Sequence, residues 1–258
     1  MADTAPETDA PCLWVVGTGP GDTAHLTPAA ANAVRASTDV VGYGLYLDLL
    51  GDLMDGRERH EAPLGEETTR AEMALDLAAD GRTTTLVSSG DAGVYAMASL
   101  LFERLAQRSA SERERVRIEV LPGISAMQTA AARVGAPLGH DFCAISLSDL
   151  LTPWPVIERR VRAAADGDFV VAFYNPASRR RDWQLPAALE ILRAARPADT
   201  PVVVARNLTR ETEAITRTTL SALDPAQVDM LCVVLVGNAQ TRVIDDWVYT
   251  PRGYAAKA

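Results

Sequence analysis

Cysteine and histidine are scarce in this sequence, with three of each in 258 residues. Cys12, Cys143 and Cys232 are odd in number, far apart and set beside apolar runs. A disulfide framework and a cysteine-based metal centre are therefore both excluded, and the thiols read as buried groups of a protein kept in a reducing cytoplasm. The histidines are scattered too, and no metal site is expected. Basic charge is also short. Twenty-five Lys and Arg stand against 34 Asp and Glu, a net charge of −9, whereas a nucleic-acid partner would need a broad basic face. No apolar run is long enough to cross a bilayer. Residues 1–11 are acidic, contain proline, and lack the basic start and apolar stretch of a signal peptide; they read as a disordered lead-in.

What remains is an ordinary globular composition, 48% hydrophobic and 23% charged, with enough apolar material for one large or two small cores. Strand and helix patterns alternate from residue 13 onward. A short apolar run (13–16) is followed by a glycine-rich turn. Thr27 and Pro28 then supply an N-cap and a first-turn proline. Further strands are expected at 39–41, 84–88 and 117–121, with helices at 70–79 and 94–107 between them. Strands separated by helices argue for a mainly parallel first sheet with right-handed crossovers. The Pro-Gly pair at 122–123 interrupts this pattern and marks the expected division into an N-terminal α/β domain (12–122) and a C-terminal one (123–250). In the second half, strands are expected at 143–147, 169–174, 202–206, 214–219 and 231–236. The pair 202–206 and 214–219 leaves little room for a helix, so a hairpin and a mixed second sheet are expected.

Two strand–turn–helix motifs carry candidate chemistry. The first, GTGPGD at 17–22, places backbone N–H groups and a helix N-terminus toward a ligand. As a dinucleotide fingerprint it departs in three places. Asp22 stands where glycine is required, Pro20 removes a donor, and Asp39 opens the second strand instead of closing it. The second motif is SSGDAGVY at 88–95. Its glycines permit close backbone approach. Asp91 lies near a helix start, where it serves either as a plain N-cap or as part of a ligand loop.

These residues resemble the signatures of the tetrapyrrole methylases. VGTGPGD at 16–22 with Leu26 and Thr27 is similar to the opening of that family, SGDAGV at 89–94 to its second signature, and LPGISA at 121–126 to its third. Ala92 stands where many members have proline. The runs at 135–142 and 146–154, FYNP at 173–176 with SRRR at 178–181, and RNLT at 206–209 resemble a corrin-ring subgroup. The resemblance covers nearly the whole chain, about residues 13–249. It implies two α/β domains with S-adenosyl-L-methionine in the cleft between them, methylation of a cobalamin precursor followed by ring contraction, and a cytoplasmic homodimer. Position by position, it implies cofactor contacts from Gly19 and Pro20, from Ser89, Gly90, Asp91 and Val94, from Ser125 and Ala126, and from Asn175 and Leu208.

Ring contraction moves protons, so an acid–base group beside the ring is expected. His140, Asp141 and Tyr43 are the first candidates, with Tyr46 and Asp149 beside them; a surface or capping histidine and core-filling tyrosines are the plain alternatives. Tyr46 could stack on a flat macrocycle. Arg179, Arg180 and Arg181, the densest basic spot in an acidic chain, could hold its carboxylates, or could simply be a solvated loop. Three further readings stay open: a corrin methylase acting at another carbon or on a cobalt-bearing precursor, a nicotinamide-dependent oxidoreductase, and a non-catalytic sensor of an adenine ligand.

Overall fold

The computed structural model describes residues 11–254. The lead-in expected over 1–11 lies outside them except for Pro11. The chain divides into two compact units, Met1–Ser125 and Ala126–Ala258. Unit 1 runs β1 (Cys12–Gly17), α1 (Pro28–Ala36), β2 (Asp39–Gly42), α2 (Gly44–Asp48), β3 (Glu58–Glu61), α3 (Glu67–Ala79), β4 (Thr84–Ser88), α4 (Met97–Leu105), α5 (Ala110–Arg113) and β5 (Arg117–Leu121). Its sheet has the order β3-β2-β4-β1-β5, and every pairing is parallel.

Periodicity explains the layering. Along β1, Leu13 and Val15 pack with Leu75 of α3 and Leu101 of α4. The alternate residues Cys12, Trp14 and Val16 pack with Ala30 and Ala33 of α1 on the other face. A strand covered on both faces reads as an unbroken apolar run, as β1 does. The α1 start is as expected, with the Thr27 hydroxyl accepting from the Ala30 N–H at 3.1 Å and Pro28 opening the helix.

Unit 2 runs α6 (Ala126–Val134), β6 (Gly135–Ala136), β7 (Phe142–Ser146), α7 (Trp154–Asp166), β8 (Val170–Tyr174), α8 (Gln184–Arg193), β9 (Pro201–Arg206), β10 (Ala214–Thr219), β11 (Cys232–Val236), β12 (Arg242–Ile244) and β13 (Trp247–Tyr249). Its main sheet, β10-β9-β11-β8-β7, is mixed as expected. β11 runs antiparallel to both β8 and β9, so those two are parallel to one another, and β7 is parallel to β8. Phe173, Val204 and Val234 face α7 and α8, while Ala172, Val203 and Leu235 face α6. A small third sheet, β12-β13-β6, was not expected. Among the described residues no helix is long and apolar enough to cross a membrane.

Sequence reading misses β3 entirely, because its residues Glu58, Arg59, His60 and Glu61 have no apolar alternation. Ionic contacts place it instead. At the N-terminal edge of the sheet, Asp39 is fully buried. Its carboxylate accepts from the Thr38 hydroxyl (2.6 Å), His60 Nε2 (2.7 Å) and Arg82 Nη2 (2.7 Å). Asp39, Glu58 and His60 bring donor atoms within 4.8 Å of one another, and Arg82 bridges the two carboxylates. Burial works to raise the Asp39 pKa, but the bonds from Thr38, His60 and Arg82 outweigh it and hold the carboxyl below its usual value.

A carboxyl depressed in the native state stabilises it above the unfolded pKa, about 3.9, and that stability is lost as pH falls through the native value. Asp39→Asn should therefore cost about 3 kcal/mol at pH 7, since Arg82 and His60 lose their anion. The gap to wild type should narrow as pH drops below about 4. Urea unfolding at pH 7 and pH 3 tests this, and an equal gap at both values would show that the anion is not what stabilises the fold.

Candidate functional site

All five strands of the first sheet point their C-terminal ends the same way, so the loops that follow them gather along one edge. Beyond β1, β4 and β5 these loops meet backbone to backbone. The Thr18 N–H donates to Ser88 O (2.8 Å), Gly19 N–H to Gly90 O (3.1 Å) and Gly90 N–H to Gly19 O (2.7 Å). A Cβ on Gly17 would lie 2.6 Å from Gly90 O, and one on Gly123 only 2.1 Å from the same atom. No side chain fits there. Gly19 and Gly90 also take the left-handed φ values of +77° and +69°.

Asp91 ties the second loop to the third. Its Oδ1 accepts from Gly93 N–H (2.8 Å) and its Oδ2 from Gly123 N–H (3.0 Å). The N-cap reading of Asp91 is thereby corrected. α4 begins at Met97, not at 94, and the Met97 N–H is met by the Ser88 hydroxyl at 3.3 Å. Residues 92–96 belong to the loop. Within it Val94 is half-buried, and Tyr95 is exposed and left-handed (φ +53°). Pro20 and Ser125 are buried, and Ser89 is half-buried.

This arrangement answers the dinucleotide reading. The N–H groups of Thr18 and Gly19 are spent on the second loop, Pro20 has none, and the Asp22 side chain accepts from the His25 N–H (3.1 Å). Asp39 lies at the opposite edge of the sheet from the glycine loop. Little is left to cradle a pyrophosphate. Tyr43 and Tyr46 do lie at the loop edge, just past β2, with their rings edge to face at 5.3 Å.

In unit 2 the corresponding edge carries Ser146, Asn175 and Leu208. Val204 and Phe173 both face Val234, so Arg206 and Asn175, two residues further on, stand level. Asn175 is left-handed (φ +50°), and its Nδ2 donates to the Ser146 hydroxyl at 3.0 Å. Leu208 is buried between two more left-handed residues, Asn207 and Thr209. At the start of α6, beside Ala126, the Met127 N–H donates to the Tyr174 hydroxyl (3.1 Å).

Two groups of expected site residues, Arg179 to Arg181 and the His140–Asp141 pair, have these surroundings. Arg179 and Arg180 are exposed, but Arg181 is buried. Its Nη1 donates to Asn175 O (2.7 Å) and Leu147 O (3.2 Å). Burial pushes its pKa down, opposed by the nearby Asp149 charge. Arg181 holds the Asn175 turn. Asp149 is itself engaged by Gln184 Nε2 at 3.0 Å. Second, His140 and Asp141 precede β7, whereas Ser146, Asn175 and Leu208 lie at the far ends of their strands. The length of β7, roughly 15 Å at strand rise, separates them. His140 Nδ1 accepts from the Asp141 N–H (2.8 Å), and Asp141 O accepts from the start of β8. The pair therefore stands at the other edge of the second sheet from Asn175. Ser146, Tyr174 and Gly123 lie inside motifs that the sequence singles out, but no individual role could be read for them there.

The tetrapyrrole (corrin/porphyrin) methylase family matches residues 12–224. The chain is 46% identical to a precorrin-3B C(17)-methyltransferase of Sinorhizobium sp, over 94% of this chain and 97% of that one. It is 44% identical to a cobalt-factor III methyltransferase of Priestia megaterium, over 95% of this chain, but spans only 45% of that relative's length. The solved structure of the methyltransferase CobJ superposes with a TM-score of 0.88 at 46% identity, covering 94% of this chain and all of that one. The loops at 17–22, 89–94 and 121–126 are thus those of a methylase, and the chain belongs to the tetrapyrrole methylase family.

Gly123→Ala should destabilise the protein by about 3 kcal/mol, because the clash is with backbone that cannot turn away. Asp91→Ala should cost about 2 kcal/mol. Asp91→Asn should recover only part of that, since an amide presents one acceptor to two N–H groups. Urea unfolding of the three variants tests the loop junction, and wild-type stability in Asp91→Ala would refute it. Arg181→Lys should lose about 2 kcal/mol, its ammonium being unable to reproduce the fixed fork. The exposed Arg179→Ala should stay within about 0.5 kcal/mol of wild type. Equal melting temperatures for these two would remove the holding role of Arg181.

Proposed function

We propose that this chain transfers the methyl group of S-adenosyl-L-methionine to carbon 17 of a precorrin-3B-type macrocycle and contracts the ring, a step of cobalamin synthesis. The observation that carries this reading is the 46% identity, over almost the full length of both chains, with a relative named for that reaction. The loop chemistry agrees. A sulfonium donor needs no phosphate cradle, and the Thr18 and Gly19 N–H groups that would help to form one are bonded to the second loop. When bound, the cofactor supplies an electrophilic methyl group. In this reading Gly19, Pro20, Ser89, Gly90, Asp91, Val94, Ser125, Ala126, Asn175 and Leu208 hold and orient it. Fixing donor and acceptor in line supplies much of the rate, and the apolar surroundings of Pro20, Val94 and Leu208 exclude water.

Tyr46, Arg179 and Arg180 are the proposed contacts for the macrocycle, the arginines through its carboxylates. Tyr43, at the loop edge of the first sheet, is proposed for the acid–base role ahead of His140 and Asp141, which stand at the far edge of the second sheet. The family resemblance also supports a cytoplasmic homodimer. A second substrate reading, the cobalt-bearing macrocycle, is favoured by the relative named for cobalt-factor III.

Incubating the protein with isotope-labelled cofactor and either precorrin-3B or cobalt-factor III, followed by mass spectrometry, decides between the two. A gain of one methyl on one macrocycle is the expected result, and no label in either refutes the reading. Tyr43→Phe should still methylate but leave the uncontracted chromophore, and contraction at the wild-type rate would clear Tyr43 of that role.

A further inference from the structure

Several arginines in this fold are tied to named partners. Arg181 and Arg196 are buried, and each donates to backbone carbonyls; Arg196 reaches Gly237, Ala164 and Phe169. Arg206 pairs with Asp229 at 2.9 Å, and Arg133 with Glu213 at 2.9 Å. Arg210 is different. Its Nε is buried and unmet, as is that of Arg196, but among the described residues the rest of the Arg210 side chain takes part in no hydrogen bond or ion pair either. Leaving a charged group's donor desolvated and unmet is costly, and such an atom in a folded protein calls for an explanation.

The surroundings narrow that explanation. Arg210 lies in the loop joining β9 to β10, just past Leu208 and at the edge where Asn175 stands. β8 and β9 flank β11, so the loop ends carrying Asn175 and Leu208 are about 10 Å apart at ordinary strand spacing. The loop is rigidly built. Asn207 and Thr209 hold left-handed φ values of +48° and +62°. Asn207 Nδ2 donates to the Thr212 hydroxyl (2.7 Å), and Arg210 N–H donates to Asn207 O (3.0 Å). Backbone kept in such conformations marks a loop whose shape is used. The half-buried carboxylate beside Arg210 is already engaged, since Glu213 accepts from Arg133 and from the Thr209 N–H. Among the described residues Arg210 thus stands at the Asn175 edge with no hydrogen-bonded or ion-paired carboxylate.

We propose that Arg210 binds a carboxylate of the ligand held at this edge. The inference rests on the methyltransferase reading above and adds to it a residue and a chemical group. The planar fork of arginine matches a carboxylate in a way that a lysine ammonium does not. Both ligands of that reaction carry carboxylates: the amino-acid end of the cofactor and the acid side chains of the macrocycle.

Calorimetry with S-adenosylhomocysteine and with 5′-methylthioadenosine, which lacks the amino-acid end, separates these sources. If the cofactor's carboxylate is the partner, Arg210→Met weakens S-adenosylhomocysteine by about 10-fold or more and leaves methylthioadenosine unchanged. If the macrocycle supplies it, S-adenosylhomocysteine binds Arg210→Met as it binds wild type. The KM for the accepted macrocycle then rises by about 10-fold or more, with kcat little changed. Either result supports the proposal, and Arg210→Lys should restore only part of the loss. A melting temperature at or above wild type for Arg210→Met shows that the effect is not unfolding. Wild-type affinity and wild-type KM in Arg210→Met overturn the assignment alone. Wild-type protein that binds neither probe and methylates neither macrocycle overturns the functional reading, and this assignment with it.

Discussion

The contact on which the rest of the first unit depends is made without side chains. Gly17, Gly90 and Gly123 come together where three parallel strands end, and their backbones approach more closely than any Cβ would allow. Reciprocal bonds between Gly19 and Gly90 and the Asp91 bridge to Gly123 lock the three loops into one surface. The order β4-β1-β5 brings these loops side by side. A Cβ at Gly17 or Gly123 would meet backbone and push them apart, and Gly90 holds a left-handed φ of +69°.

The two units follow the same plan by different topologies. In each, alternate residues of the strands pack against helices on opposite faces, and irregular loops gather at one end of the sheet. In the first unit every strand is parallel, and the edge is built from backbone turns. In the second, β11 runs against its neighbours, so β7, β8 and β9 alone contribute C-terminal ends there. That edge is built from left-handed residues, each held by a polar side chain. The opposite edge of the first sheet does structural work, with the buried carboxylate of Asp39 and its cationic partners clamping the apolar-poor strand β3 to β2.

Arginine chemistry follows position rather than composition. Arg181 spends its charge-bearing group on the carbonyls that shape the Asn175 turn, whereas Arg179 and Arg180, its immediate neighbours, stand in solvent. Arg210 is bonded through its backbone and has no ion pair among the described residues. The difference between a structural cation and a ligand-binding one lies in which acceptors lie within reach, and three consecutive arginines can differ completely in that respect.

The α/β class, the parallel first sheet, the mixed second sheet and the three glycine-bearing loops were legible in the residues, because apolar period, helix caps and turn glycines act over a few positions. The start of α1 at Thr27 and Pro28 was legible for the same reason. β3 was not, since four charged or titratable residues carry no periodic signal and are placed by partners more than twenty positions away in sequence. Neither was the true part of Asp91, whose second oxygen meets Gly123, or that of Arg181. The place of His140 was decided by strand direction. A loop before a strand and a loop after it look alike in sequence, but parallel packing sends them to opposite edges of the sheet. Local chemistry therefore named the loops, and only the direction and pairing of the strands decided which of them share an edge.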